Sequence, residues 1–195
     1  MDGKDILKIF EEKGALLKGH FLLSSGLHSD TYLQCALVLQ YPDLASLLTE
    51  ELTKNLEVEK VDVVIGPALG GIILAYELAR KIGARAIFAE RVEGKMQLRR
   101  GFTVHKGERV LLVEDVITTG ASLKEVEDLV REKGGIIAGI GAIVDRSGGN
   151  SLFGSEVKAL LTLKIQNYLP EKCPLCKKGI PLTVPGSKQL GKKLR

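Results

Sequence analysis

The chain reads as an α/β protein: a central parallel sheet flanked by helices, with a small N-terminal hood. Three observations point there. Apolar runs such as VLLV at Val110 to Val113 do not alternate with polar residues, which is the pattern of strands covered on both faces. Segments of helical period, roughly ten to fifteen residues long, separate these runs, as crossover helices between parallel strands do. Glycine-rich turns stand at the carboxyl ends of two of the strands, where open parallel sheets bind ligands.

In chain order, Ile6, Leu7, Ile9 and Phe10 lie at helical spacing within Asp2 to Lys13, and Gly14 ends that helix. Two short strands, Gly19 to Leu23 and Thr31 to Gln34, flank a polar loop from Ser24 to Asp30. A helix begins at Pro42 and runs to about Leu56, with Leu44, Leu47, Leu48 and Leu52 on one face. Val61 to Ile65 is the next strand; it ends in Gly66-Pro67-Ala68-Leu69-Gly70-Gly71 and a helix over Ile72 to Ile82. Ala84 to Ala89 is a third strand, and Glu90 to Gly101 a cationic loop without periodicity, carrying Arg91, Lys95, Arg99 and Arg100.

The central strand, Val110 to Val113, is followed by Glu114 and Asp115 and then by a turn leading into a helix from about Leu123 to Lys133. Ile136 to Val144 is a further buried strand with Asp145-Arg146-Ser147-Gly148-Gly149 at its end, and Val157 to Leu163 an edge strand or short helix. The whole is read as one domain over residues 1–195, with hood segments at about 1–40 and a tail at about 165–195. The tail is rich in proline and lysine, and packing and solvated charge are the only roles read for it.

The 195 residues suffice for a real core, and 45% hydrophobic with 27% charged residues is a globular composition. No apolar run approaches the ~20 residues of a membrane span, and the first fourteen residues carry acids in a helical pattern instead of a basic, then apolar leader. A cytoplasmic protein without a membrane partner is expected. A net charge of +4 suits an anionic substrate and gives no strong reason to expect nucleic acid. Cys173 and Cys176, in CPLC, have the spacing of half a zinc site, but no suitably spaced histidine follows, so a zinc ribbon is not expected. A structural, reduced or oxidation-sensitive pair is.

Chemistry concentrates in Val110 to Ser122. Gly120 lets backbone N–H groups approach a ligand, while Thr118, Thr119 and Ser122 add donors beside a helix N-terminus, where the dipole favours an anion. A phosphate fits the turn Val116-Ile117-Thr118-Thr119-Gly120-Ala121-Ser122. Two carboxylates just before it would repel a bare phosphate; they fit one carried by a sugar whose hydroxyls they accept, as in a ribose 5-phosphate.

These thirteen residues resemble the phosphoribosyl-diphosphate (PRPP) signature of the type I phosphoribosyltransferases. Other segments resemble the orotate phosphoribosyltransferases of that family: the hood segment SSGLHSDTYLQ, the loop ERVEGKMQLRRG, the Asp145-Arg146 pair and the C-terminal extension. The resemblance implies transfer of the 5-phosphoribosyl group of PRPP to orotate, giving orotidine 5′-monophosphate and diphosphate in UMP synthesis. It assigns Glu114 to Ser122 to PRPP, Arg146, Thr118, Tyr32 and His28 to orotate, and Ala68, Leu69, Gly70 and Gly71 to the diphosphate. Arg91 and Lys95 become catalytic cations beside Asp115, on a loop 90–101 that reaches the other subunit of a homodimer. Mg²⁺ is implied as a cofactor carried by PRPP, with no direct protein ligand. One departure stands out: better-known bacterial members carry a lysine in the diphosphate loop where this chain has Gly70. A purine phosphoribosyltransferase and a PRPP-binding regulator are the alternatives; Arg146 argues against the first, since a neutral purine offers it no carboxylate.

Overall fold

The computed structural model describes residues 1–23, 25–147 and 156–185. Ser24, Gly148, Gly149 and the end of the tail, which entered the sequence reading, lie outside them.

The first helix, α1 (Gly3–Glu12), starts where the Asp2 carboxylate accepts the N–H groups of Lys4 and Asp5 while Asp5 reaches back to the Asp2 N–H. It buries Ile6 and Phe10. The hairpin β1 (Leu16–Leu22) and β2 (His28–Leu33) follows. The second strand begins earlier than the sequence suggested: His28, Ser29 and Thr31 are buried and ladder-paired, so the polar character read as a loop belongs to a covered strand.

A short turn, α2 (Ala36–Leu39), leads to α3 (Pro42–Leu56), whose first position is the proline that sets its start. The buried stripe is Ala45, Leu48, Thr49, Leu52 and Leu56. Leu47 is exposed and Leu44 only half-buried, which rotates the expected face: small Ala45 and a Thr49 hydroxyl bonded to the Ala45 carbonyl take the core side.

The main sheet contains β3 (Val63–Pro67), β4 (Arg85–Val92), β5 (Lys95–Leu98), β6 (Arg109–Ile117), β7 (Ile136–Asp145) and β8 (Val157–Thr162) in the order β5-β4-β3-β6-β7-β8. All neighbours are parallel except β4 and β5. Between them run α4 (Gly70–Ile82) and α5 (Ala121–Glu132), and after β8 come the two-residue β9 (Asn167–Tyr168), a 3₁₀ turn and α6 (Pro174–Lys177). Alternate residues of β6 enter different cores. Leu111 and Val113 pack with the faces of α1, α3 and α4, while Val110 and Leu112 pack with Leu123, Val126 and Val130 of α5. The sheet is therefore covered on both faces. Residues such as Leu52 and Leu111, fully buried, contribute about 1.5–3 kcal/mol each by leaving water.

The segment read as an aperiodic loop, 90–101, is instead a hairpin. Val92 and Lys95 pair across Glu93 and Gly94, whose φ values of 48° and 83° give the double left-handed turn that matches strand twist. The chain also reverses direction at the middle of the sheet: β3 leads outward to β4, and β6 returns to the other side of β3. The carboxyl ends of β3 and β6 thus frame the crevice where such sheets bind ligands. Above it sit β1, β2 and β9, joined by the tail, where Leu22 N–H donates to the Thr183 carbonyl (2.9 Å) and Thr183 N–H to that of His20 (2.8 Å).

Candidate active site

At that crevice a cleft of about 750 Å³ is walled by the end of β6 and the start of α5 on one side, and by the hood and tail on the other. Asp115, Val116, Thr118, Thr119, Ala121 and Ser122 line it, as do Tyr32 and Arg146. Strand β6 brings the acids up from the core; Gly120, at φ 77°, then turns the chain into α5. No side chain caps α5, and the Thr119 hydroxyl is only a long acceptor for Ala121 N–H, at 3.4 Å. Uncommitted donors at the positive end of a helix dipole make this wall an anion site.

Asp115 is half-buried at the cleft wall. Burial pushes its carboxyl up, opposed by hydrogen bonds from the N–H groups of Val116 and of Asp115 itself. Glu114 is pushed up as well, to about 8, by burial and then by the negative charge of Asp115. The pair holds negative charge at a cost that a ligand offering hydroxyls or positive charge relieves. Glycines fit the bend around these acids: a side chain at Gly70 would meet the Asp115 carboxyl carbon at 2.7 Å, and one at Gly66 the carbonyl oxygen of Gly71, also at 2.7 Å. Ala68, Leu69, Gly70 and Gly71 form this bend behind Asp115, and Leu69 is open to solvent.

Beside the turn between β6 and α5, just past the end of β7, stands Arg146. Its backbone N–H donates to the Ile117 carbonyl (2.8 Å), which ties the end of β7 to that turn. Burial lowers the affinity of its guanidinium for the proton, and the charges of Tyr32 and Asp30 oppose that effect. Its Nε is buried without a hydrogen-bond partner among the described residues. A buried, unpaired donor on a planar fork is a receptor for an anion that enters the cleft. Tyr32, whose hydroxyl is 3.3 Å from Gln34 Oε1, has its acidity weakened first by burial and then by Asp115.

Other residues singled out in the sequence lie elsewhere. Glu114 and Ile117 do not line the cleft; Glu114 sits beside Asp115 on the strand, and Ile117 is buried in the α5 core. His28, expected at the base, does not line it either. That reading is corrected: its Nδ1 lies 2.8 Å from His20 Nε2 and 3.3 Å from Cys176 Sγ, behind the hood. Arg91 and Lys95 stand on the β4–β5 hairpin, where Arg91 forks onto both oxygens of Glu125 (2.8 and 3.0 Å), away from the cleft of its own chain. Sequence reasoning missed Gln34, which follows Tyr32 by two residues on one strand face and could have been found by that period. It also missed Asn167, Val184 and Pro185, which reach the cleft only because the tail folds back over the hood.

Residues 43–164 match the phosphoribosyl transferase domain family, and the chain belongs to that family. Within it, the chain is a member of the orotate phosphoribosyltransferases. The orotate phosphoribosyltransferase of Caldanaerobacter subterraneus subsp. tengcongensis is 57% identical over 190 residues, covering 97% of this chain and 100% of the relative. That of Thermotoga maritima is 51% identical, over 95% of this chain and 99% of the relative. Among solved structures, orotate phosphoribosyltransferase from Aeropyrum pernix superposes with a TM-score of 0.70 at 28% identity, covering 82% of this chain and 94% of that one.

Proposed function

We propose that the chain transfers the 5-phosphoribosyl group of PRPP to orotate, releasing diphosphate and orotidine 5′-monophosphate. A ring nitrogen of orotate forms the new bond to ribose C1 as the bond from C1 to the diphosphate oxygen breaks. The transition state carries positive charge on the ribose, so the residues act by placing charge and not by a covalent intermediate.

In this reading the α5 N-terminus, with Thr118, Thr119 and Ser122, holds the 5′-phosphate. Glu114 and Asp115 accept the ribose hydroxyls and stand near the developing positive charge. Arg146 forks onto the orotate carboxylate beside Tyr32 and Thr118, which also line that part of the cleft. The Ala68 N–H is taken by the Ala89 carbonyl (2.8 Å), so in this loop the backbone donors of Leu69 to Gly71 would meet the departing diphosphate in place of a lysine at position 70. Mg²⁺ on the diphosphate oxygens suits a cleft whose nearby protein donors are hard carboxylate oxygens, and would neutralise the leaving group.

Arg91 and Lys95 do not reach the cleft of their own chain, which favours a homodimer in which each hairpin serves the neighbouring site. Leu69, Ile73 and Tyr76, spaced along one side of α4 and all exposed, offer an apolar face to a second copy. Substrates of this chemistry belong in the cytoplasm, and no described helix is long and apolar enough to cross a membrane.

The observation that carries the reading is the Arg146 Nε, buried without a hydrogen-bond partner among the described residues, on a side chain that lines the same cleft as Thr118, Thr119 and Ser122. Its test is loss of orotate absorbance on adding PRPP and Mg²⁺, run beside adenine, hypoxanthine and uracil. Consumption of orotate alone supports it; turnover of a purine in preference to orotate refutes it.

A further inference from the structure

Behind the hood, outside the cleft, four side chains converge that the reaction does not use. His20 on β1, His28 at the start of β2, and Cys173 and Cys176 around α6 place one ligand atom each within 4.8 Å of one another. His20, His28 and Cys173 are buried, and both cysteines are free thiols. We infer that His20, His28, Cys173 and Cys176 form a structural zinc site that clasps the C-terminal segment to the hood.

The geometry is that of a four-coordinate ion. Bonds of about 2.05 Å to nitrogen and about 2.3 Å to sulfur, set tetrahedrally, separate nitrogen from sulfur by about 3.5 Å and nitrogen from nitrogen by about 3.3 Å. The nitrogen-to-sulfur distances here are 3.3, 3.5 and 3.7 Å. The two imidazole nitrogens are closer, at 2.8 Å, a hydrogen-bond contact that an ion between them would open by about half an ångström.

Proton positions agree with the assignment. His20 Nδ1 lies 2.8 Å from the Ile180 carbonyl oxygen, which can only accept, so Nδ1 carries the proton and Nε2 turns a lone pair toward the cluster. His28 supplies Nδ1 when its proton moves to Nε2. Both thiols lose protons to the solvent as the ion binds, leaving a centre with no net charge, which suits a buried position. Two soft thiolates with two imidazoles select zinc over magnesium or calcium, and with every position filled by protein the site is structural.

The local fold supports it as well. Cys173 stands immediately before α6 and Cys176 within it, the Cys173 carbonyl accepting the Lys177 N–H and the Cys176 carbonyl that of Gly179, so one tight turn presents both sulfurs to the hood. The clasp bears on the cleft, because the segment it anchors delivers Val184 and Pro185 to the wall and the β1–β2 turn delivers Ser25, Gly26 and Leu27.

The test uses the full chain, purified under reducing conditions and dialysed against a weak chelator. Metal analysis should find close to one zinc per chain, falling to a small fraction of that in Cys173→Ser and Cys176→Ser. A second measurement, independent of whether either variant folds, uses the wild-type chain: exchange of zinc for Co²⁺ should give the intense thiolate-to-cobalt absorption and tetrahedral bands of a two-sulfur site. Reduced chain that takes up no zinc when supplied with it, or takes up iron only, overturns the inference. So does an octahedral cobalt spectrum, or zinc retained in full by the Cys173→Ser/Cys176→Ser double variant. None of these readouts involves orotate or PRPP, so the inference stands or falls apart from the proposed activity.

Discussion

The carboxylate of Asp115 fills the space that a side chain at Gly70 would need, with its carboxyl carbon 2.7 Å from a Cβ built there. The end of β6 and the start of α4 are therefore fitted to one another, and a lysine cannot be restored at position 70 without moving an acid of the substrate site. Gly70→Ala should weaken PRPP binding in spite of the better helix propensity of alanine. Overpacking of this kind costs about 1–3 kcal/mol, a loss of roughly five- to 160-fold in kcat/KM for PRPP. Gly70→Lys should lose at least as much, and a gain in activity would contradict the fit.

Glu114, with its carboxyl raised from 4.5 to about 8, sets a pH dependence. Between those values the folded free chain holds a proton that the unfolded chain does not, so its stability falls as pH rises through that window. PRPP, whose hydroxyls need the ionised form as acceptor, should bind more tightly as pH rises through about 8. Thermal melts and PRPP titrations across pH check both signs. Glu114→Gln should flatten both profiles and weaken PRPP at high pH.

Arg146→Ala should abolish most orotate turnover while PRPP still binds. Removing one partner of a buried charged pair costs about 2–5 kcal/mol, a rise of thirtyfold or more in KM for orotate. Arg146→Lys should recover only part of this, because a point charge cannot fork onto a carboxylate.

The ion pair between Arg91 and Glu125 is half-exposed, so it stabilises little. Glu125→Ala should leave the fold intact and free Arg91, whereas Arg91→Ala or Lys95→Ala should lower kcat more than it raises KM. Mixing an Arg91→Ala chain with an Arg146→Ala chain should restore activity through hybrid dimers that contain one intact site. No recovery in the mixture would place the hairpin outside the neighbouring site.

The strand-to-helix turn at Gly120 and the helix from Pro42 were legible because local chemistry sets them: a proline at the first helical position, and acids, hydroxyls and glycine at a strand end. The Glu93-Gly94 turn was missed because charge in the surrounding segment masked a two-residue hairpin signal. The position of His28 could not be read: the β1–β2 hairpin sets it against His20, eight residues away, and its other partner, Cys176, lies 148 residues away and meets it only when the tail folds back. The same folding explains why Val184 and Pro185 gave no signal. The histidines that face the cysteine pair, His20 and His28, precede it in the chain by about 150 residues, outside the spacing of a zinc ribbon.

The most direct measurement is a crystal structure of the chain with PRPP and Mg²⁺. The account predicts the 5-phosphate on the N–H groups from Thr118 to Ser122, the ribose hydroxyls on Glu114 and Asp115, and the face of C1 open toward Arg146. PRPP bound elsewhere, with that turn empty, would contradict it.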